Sequence, residues 1–344
     1  MDNFNVVGLD LAKSVFQVHV ANTQGKKLLT KRLKRCEVLT WFAALPPSLV
    51  GMEACGGAHE WARQLQELGH QIKLMAPQHV KPYVQGNKTD ARDAAAICEA
   101  ASRECVPAVA LRSRDSQQMQ VMHRTRENWI KQRTAIANQL RGHLAEFGHV
   151  LPAGIHHIRA GCRDWQAREG HKFGILNQIV DALLDQFAGL EERLKKVEQQ
   201  LLQIHRNDPA CKLIESIPGI GMLTATGVIS HFGRCDMFGS ARKFACALGL
   251  TPREHSSGGK QVLLGISKRG NGYLRKLLVH GARAVLSARM NKPQHAQDWV
   301  VKLAQRRGVN IAVCALAAKN ARRIWAMLQS GEVFRVDYAE GTLA

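Results

Sequence analysis

No apolar run in this sequence reaches the roughly 18 residues that a membrane-spanning helix needs. CxxC pairs are missing, and so are HxxxH and HExxH spacings. The nine cysteines, at positions 36, 55, 98, 105, 162, 211, 235, 246 and 314, are odd in number and scattered. That distribution predicts free thiols in a reducing compartment and speaks against a disulfide framework or a structural zinc site. There is no internal repeat and no low-complexity tract. Acidic residues are in short supply: 28 Asp and Glu face 48 Lys and Arg, for a formal net charge of +20. Such an excess calls for a polyanionic partner, and nucleic acid is the one expected. The opening stretch MDNFNVVGLDLAKS is acidic-first and runs directly into a strand-like segment, so no export signal is expected and a cytoplasmic (bacterial, nucleoid-associated) location is.

At 344 residues the chain has room for two domains and a linker. Residues 5–11 (NVVGLDL), 15–21 (VFQVHVA) and 26–34 (KKLLTKRLK) read as three strands, the third with one wet, basic face. CEVLTWFAAL reads as helix. SLVGMEA (48–54) and QIKLMAP (71–77) are further short strands, separated by the amphipathic helix AHEWARQLQELG. VPAVAL (106–111) is a candidate last strand. Strands that first look antiparallel and then alternate with helices predict a mixed α/β sheet. From Asp115 to about Gly148 the pattern becomes one long helix. A second, over 178–205, spaces Ile179, Leu183, Phe187, Leu190, Leu194, Val197 and Leu201 by threes and fours. That is the coiled-coil period, open to an intramolecular helical hairpin or to oligomerisation. Residues 300–329 read as a terminal helix pair. The expected domains are 1–112, 113–207 and 208–344.

Four acids stand out. Asp10 ends the first predicted strand, Glu53 ends the strand SLVGMEA, and Asp90 and Asp93 open the helix after QIKLMAP. Asp90 and Asp93, three residues apart, share one helix face and repel. One account is that acids suit a helix N-terminus capped by Thr89; the other is that a cation lies between them. In an open α/β sheet, strand ends and the helix N-termini that follow converge on one crevice. Four carboxylates there need a counter-charge, and oxygen ligands in that number suit Mg²⁺ or Mn²⁺. Two such ions about 4 Å apart serve phosphodiester chemistry, as in RNase-H-like and RuvC-like folds. VGLDLAKS also fits the opening of a sugar-kinase/actin-type ATPase, but the charge and the lack of a second Gly-rich phosphate turn oppose that.

The C-terminal third holds other chemistry. LIESIPGIGMLTATGVISHFG (213–233) reads as a helix-hairpin-helix whose turn, with Gly219 and Gly221, lets backbone N–H groups reach a phosphate; a plain helix–helix turn is the alternative. Between Glu254 and Asp298 there is no acid but eight Lys or Arg, at 260, 268, 269, 275, 276, 283, 289 and 292. A field so one-sided predicts a phosphate-binding surface. The candidate nucleic-acid contacts are Lys88 and Arg92 beside the acidic helix, Gly219 and Gly221, and Lys260, Lys268, Arg269, Asn271, Arg275 and Lys276. Ser256 and Ser257 precede Gly258–Gly259 on a permissive turn. A serine among cations can attack a phosphodiester, although SSGG is also what a flexible loop looks like.

GLDLAK, GMEACGGAHEWARQL, MAPQHVKPYVQGNKTDARDAAAICEA, IPGIGMLTATGVIS and ALGLTPREHSSGGKQVLLGISKRGNGYLRKLLVHGA together resemble the blocks of the insertion-sequence-110 family of DEDD transposases, in particular its 1111-type subgroup. The resemblance runs over nearly the whole chain. It implies a RuvC-like N-terminal domain, a coiled-coil insertion, and a C-terminal transposase domain with a nucleophilic serine. The four family acids fall on Asp10, Glu53, Asp90 and Asp93, and the serine falls on Ser257. It further implies Mg²⁺ at the acids, DNA as donor and target, a structured bridge RNA as guide, and a homo-oligomer built as a dimer of dimers. A RuvC-like nuclease acting on branched DNA without a covalent intermediate is the competing reading, and a non-catalytic architectural protein is a third.

Overall fold

Alternating apolar residues in the first third of the chain build a six-stranded sheet in the computed structural model, which describes residues 5–87 and 89–335. The elements run β1 (Val6–Asp10), β2 (Val15–Ala21), β3 (Lys27–Lys34), α1 (Val38–Ala43), β4 (Leu49–Glu53) and α2 (Ala58–Glu67). They continue as β5 (Gln71–Met75), α3 (Pro77–Val80), α4 (Asp90–Ser102) and β6 (Ala108–Val109). Strand order is β3-β2-β1-β4-β5-β6. β1, β4 and β5 are parallel, while β2, β3 and β6 pair antiparallel with their neighbours. The expected mixed sheet is present; its last strand is shorter than the apolar run 106–111.

Period-two alternation sends the strands' side chains to two cores. Val7, Leu9, Phe16, Val18, Leu33, Val50 and Met52 pack under α1 and α2, against Phe42, Trp61 and Leu65. Val6, Ala21 and Met75 face the other way, against Ile97, Cys98 and Ala101 of α4. Two glycines set how closely α4 approaches. A Cβ on Gly8 would lie 2.5 Å from the Cys98 nitrogen and collide with the Ala94 carbonyl oxygen, and one on Gly51 would lie 2.5 Å from Ala101 Cβ. The Cys98 thiol donates to the Val6 carbonyl at 3.4 Å. With Cys98 over Val6 and Ala94 over Gly8, α4 runs opposite to β1. Its N-terminus therefore lies at the C-terminal end of that strand.

The chain divides into two compact units, Met1–Ser113 and Arg114–Ala344. The second opens with α5 (Arg114–Glu146), α6 (Ile158–Glu169) and α7 (Gly174–Asn207). These helices share a core in which Leu140, Leu144, Trp165, Val180, Leu183 and Phe187 are buried. Ion pairs Arg126–Glu198 (2.7 Å) and Arg159–Glu191 (2.8 Å) flank it. The α7 stripe is thus covered within the chain. It also differs in register from the expected one: Ile179 is 42% exposed and Val180 is buried in its place.

The unit continues with α8 (Pro209–Glu215), α9 (Met222–Phe232), α10 (Ala241–Ala247), β7 (Pro252–Glu254) and β8 (Leu263–Ile266). It closes with α11 (Gly272–Met290), α12 (Trp299–Arg307) and α13 (Val309–Ser330), the last two being the expected terminal pair. Residues 114–207 and the region after them do not form separate bodies. Gln120 of α5 donates to the Ser230 carbonyl at 2.5 Å, and the buried His123 sits 3.1 Å from the Thr226 hydroxyl and 2.9 Å from that of Tyr273. Burial pushes His123 down to about 4, and the nearby His231 and Arg126 act in the same direction.

Candidate functional site

In the first unit, alternation places Asp10 on the same face as Val6 and Gly8, and Glu53 on the same face as Leu49 and Gly51. That is the face α4 covers. Leu9 pairs with Met52, so Asp10 and Glu53 follow side by side at the C-terminal ends of parallel neighbours. α4 begins there, with Asp90 and Asp93 in its first turn and the Thr89 hydroxyl accepting from the Arg92 N–H at 3.3 Å. Acids from three segments of the chain are thus placed at one end of the sheet. Asp10, Glu53 and Asp93 are half-buried and Asp90 is exposed. Among the described residues, no three His, Cys, Asp or Glu side chains stand close enough to cage an ion. The backbone brings Asp10 and Glu53 to the C-terminal ends of β1 and β4, where α4 starts with Asp90 and Asp93 in its first turn. Their chemistry, carboxylate oxygens only, is that of a hard-cation site.

Two further residues at this edge were not singled out from the sequence. Gln17, buried, pairs directly with Asp10 across β1 and β2. Cys55 follows β4; burial pushes its thiol up, its own backbone opposes that, and the Glu53 and Asp10 carboxylates raise it further. Its signal in sequence was only its place two residues past Glu53. Arg92 reaches back to the loop, donating to the Asn87 carbonyl at 2.7 Å beside Gly86. Lys88 lies outside the described residues.

In the second unit the serines sit on a two-stranded hairpin. Ser257 and Lys260 bridge across Gly258 (φ 55°) and Gly259 (φ 75°). Two successive left-handed residues make the tight hairpin turn that glycine favours. Ser256 is engaged: its hydroxyl donates to Glu254 Oε1 at 2.7 Å and accepts from the Val262 N–H at 3.3 Å. Gln261 donates to the same Glu254 oxygen, and these two hydrogen bonds hold the Glu254 carboxyl below its usual range. Ser257 is exposed at the tip, with no side-chain hydrogen bond among the described residues.

The basic stretch divides by use. Asn271 caps α11, accepting from the Leu274 N–H at 3.0 Å. Arg275 donates to the Leu248 and Arg269 carbonyls, and Lys276 pairs with Glu127 at 2.7 Å. Arg283 bonds Asn310, and Arg289 pairs with Asp298. Lys260, Lys268, Arg269 and Lys292 are exposed, with no side-chain partner among the described residues. The turn between α8 and α9 is likewise partly spent inside the fold. Gly219 (φ 88°) packs backbone to backbone on Gly281 of α11, and the buried Asn320 donates to the Pro218 carbonyl at 3.0 Å. Gly221, at the start of α9, is exposed.

A mixed sheet with acids gathered at the ends of parallel strands, followed by a helical unit, is the architecture expected of a DEDD-type transposase. Comparison with known proteins shows the family. A family model described as "Transposase", of the DEDD type found in IS110 elements, matches residues 7–149, and the model "Transposase IS116/IS110/IS902 family" matches residues 211–299. A probable family 20 transposase of Pseudomonas aeruginosa is 44% identical over 97% of this chain and 99% of its own length. The transposase of insertion sequence element IS1111A of Coxiella burnetii is 39% identical, covering 97% of this chain and 92% of its own. That of IS1328 from Yersinia enterocolitica is 38% identical over 97% and 99%. The chain belongs to the IS110/IS116/IS902 family of insertion-sequence transposases.

Proposed function

We propose that this transposase cuts and rejoins DNA through a phosphoserine link at Ser257, assisted by the acids Asp10, Glu53, Asp90 and Asp93. What supports the reading is the backbone placement of Asp10 and Glu53 at the C-terminal ends of neighbouring parallel strands, with Asp90 and Asp93 in the first turn of the helix that starts at that end. They would hold Mg²⁺, with Mn²⁺ as an alternative. Bound there, the ion supplies Lewis-acid stabilisation to charge on phosphate oxygens. Ser257 Oγ attacks the phosphorus, the Oγ–P bond forms, and the strand's P–O ester breaks to release a hydroxyl. A hydroxyl of the recipient strand then attacks the phosphoserine, closing a new ester and restoring the serine. Exposure at the tip of a hairpin turn suits Ser257 to meet a strand, and Lys260 beside it offsets the developing charge.

Family membership supports the rest of the proposal: a structured bridge RNA guides donor and target DNA, and the protein works as a dimer of dimers in which the acids of one subunit meet the serine of another. The turn at Gly221 adds backbone grip in the manner of a helix-hairpin-helix, and the exposed Lys268 and Arg269 bind phosphates. Asp10→Asn, Glu53→Gln, Asp90→Asn and Asp93→Asn should each abolish strand transfer while leaving thermal unfolding unchanged. A mixture of Asp90→Asn and Ser257→Ala proteins should regain partial activity through composite sites. Full activity in Asp10→Asn would refute the acid site, and no recovery after verified subunit exchange would refute its sharing between subunits.

A further inference from the structure

The cross-strand register extends the acid edge to a cation. Asp10 on β1 pairs with Gln17 on β2, and Gln17 pairs with Arg32 on β3. The three belong to one face. Two residues back, Gly8, His19 and Thr30 form the preceding row, with Gly8 pressed on α4 and the Thr30 hydroxyl 3.4 Å from His19. Alternation therefore sets Arg32, Gln17 and Asp10 on the α4 side too, while Leu33 points into the opposite core. Gln17 is buried and Arg32 is exposed on the edge strand, with no ion pair or hydrogen bond among the described residues. Its Cα stands two strand spacings, about 10 Å, from that of Asp10. The surrounding sequence is one-sided: between Asp10 and Glu37 there is no acid, but there are seven Lys or Arg.

We infer that Arg32 binds a phosphate of the DNA strand that enters the acid edge, next to the phosphate being cut. This rests on the acid edge being the DNA-cutting site. A polyanion approaching four carboxylates needs cationic help close by, and a guanidinium grips a phosphate in two-pronged fashion. Arg32 is placed by the register at a reach that leaves the acids free for the scissile group. Of the other β3 cations, Lys31 belongs to the opposite face, Lys34 lies one row beyond Arg32 where β3 pairs with Val15, outside the row that holds Asp10, and Lys27 pairs with Ala21 at the far end.

The test is the salt dependence of binding to a short duplex DNA by the full-length protein. Each phosphate contact contributes about 0.9 to the slope of log affinity against log salt. Arg32→Ala should lower the slope by about that amount, Arg32→Lys should largely keep it, and Lys27→Ala should leave it unchanged. Unfolding curves of the two Arg32 variants should match the parent, since the side chain is exposed. An equal loss in Lys27→Ala would mean a diffuse basic patch, and a loss seen with a structured RNA but not with DNA would mean another ligand; either overturns the inference. Failure of the underlying reading shows elsewhere, as strand transfer persisting in Asp10→Asn.

Discussion

Ser256 and Ser257 are neighbours on the β7–β8 hairpin, yet their hydroxyls have different surroundings. Ser256 ties Glu254 to the Val262 N–H across the hairpin, and Ser257 projects at the turn. Ser257→Ala should therefore abolish joining without a change in thermal unfolding. Ser256→Ala should slow joining by about tenfold, because a loosened hairpin costs roughly the worth of one hydrogen bond. Rates of joining by the two purified variants check this, and equal loss in both would contradict it. In the sequence only the family resemblance separates the two serines, by placing the nucleophile on Ser257; their different surroundings depend on Glu254 and on Val262 across the turn. The same holds for the basic residues. Arg275 and Lys276 look like Lys268 and Arg269 in sequence, but the first pair is committed to carbonyls and to Glu127.

Among elements, α4 and β1 form the contact on which the acid edge depends. Gly8→Ala would force the Ala94–Cys98 backbone away from the strand, destabilising the first unit by about 1–3 kcal/mol or more. Chemical denaturation measures the loss, and an unchanged midpoint would show that α4 does not bear on Gly8. The strands were legible in sequence because alternation has a period of two, and Asp10, Glu53, Asp90 and Asp93 were legible as a group because strand ends and helix starts converge. The cross-strand register that aligns Gln17 and Arg32 with Asp10 is not legible in the sequence, because it depends on the pairing of β1, β2 and β3. Likewise, Ile179 and Val180 are adjacent and apolar, and only packing against α5 and α6 decides which one is buried. His123, joining α5 to α9 and α11, gives a pH test. It is held neutral with its pKa down at about 4 against 6.5 when unfolded, so stability is complete above pH 6.5 and falls between 6.5 and 4. The loss attributable to His123 reaches about 3 kcal/mol, and His123→Gln should flatten that part of the stability–pH curve.

At the scale of the whole molecule, the net charge of +20 was visible from composition, but not which cations are available. With Lys276 and Arg289 paired to Glu127 and Asp298, and Arg275 and Arg283 held by hydrogen bonds to neutral groups, Lys268 and Arg269 are among the exposed cations of the stretch left without a partner among the described residues. The double variant Lys268→Ala with Arg269→Ala should flatten the salt slope of DNA binding by about one to two units. Binding equally tight at low and physiological salt would contradict an electrostatic grip. No described helix is long and apolar enough to cross a membrane, and all nine cysteines are free.

A covalent link between Ser257 and DNA, made with the help of the acid edge, is tested by trapping the protein on its DNA, denaturing it, and mapping the adduct by peptide mass spectrometry. A DNA-linked peptide carrying Ser257 is expected, lost in Ser257→Ala and in Asp10→Asn. DNA cleavage that persists in Ser257→Ala with no adduct would contradict it and leave a metal-dependent nuclease without a covalent step.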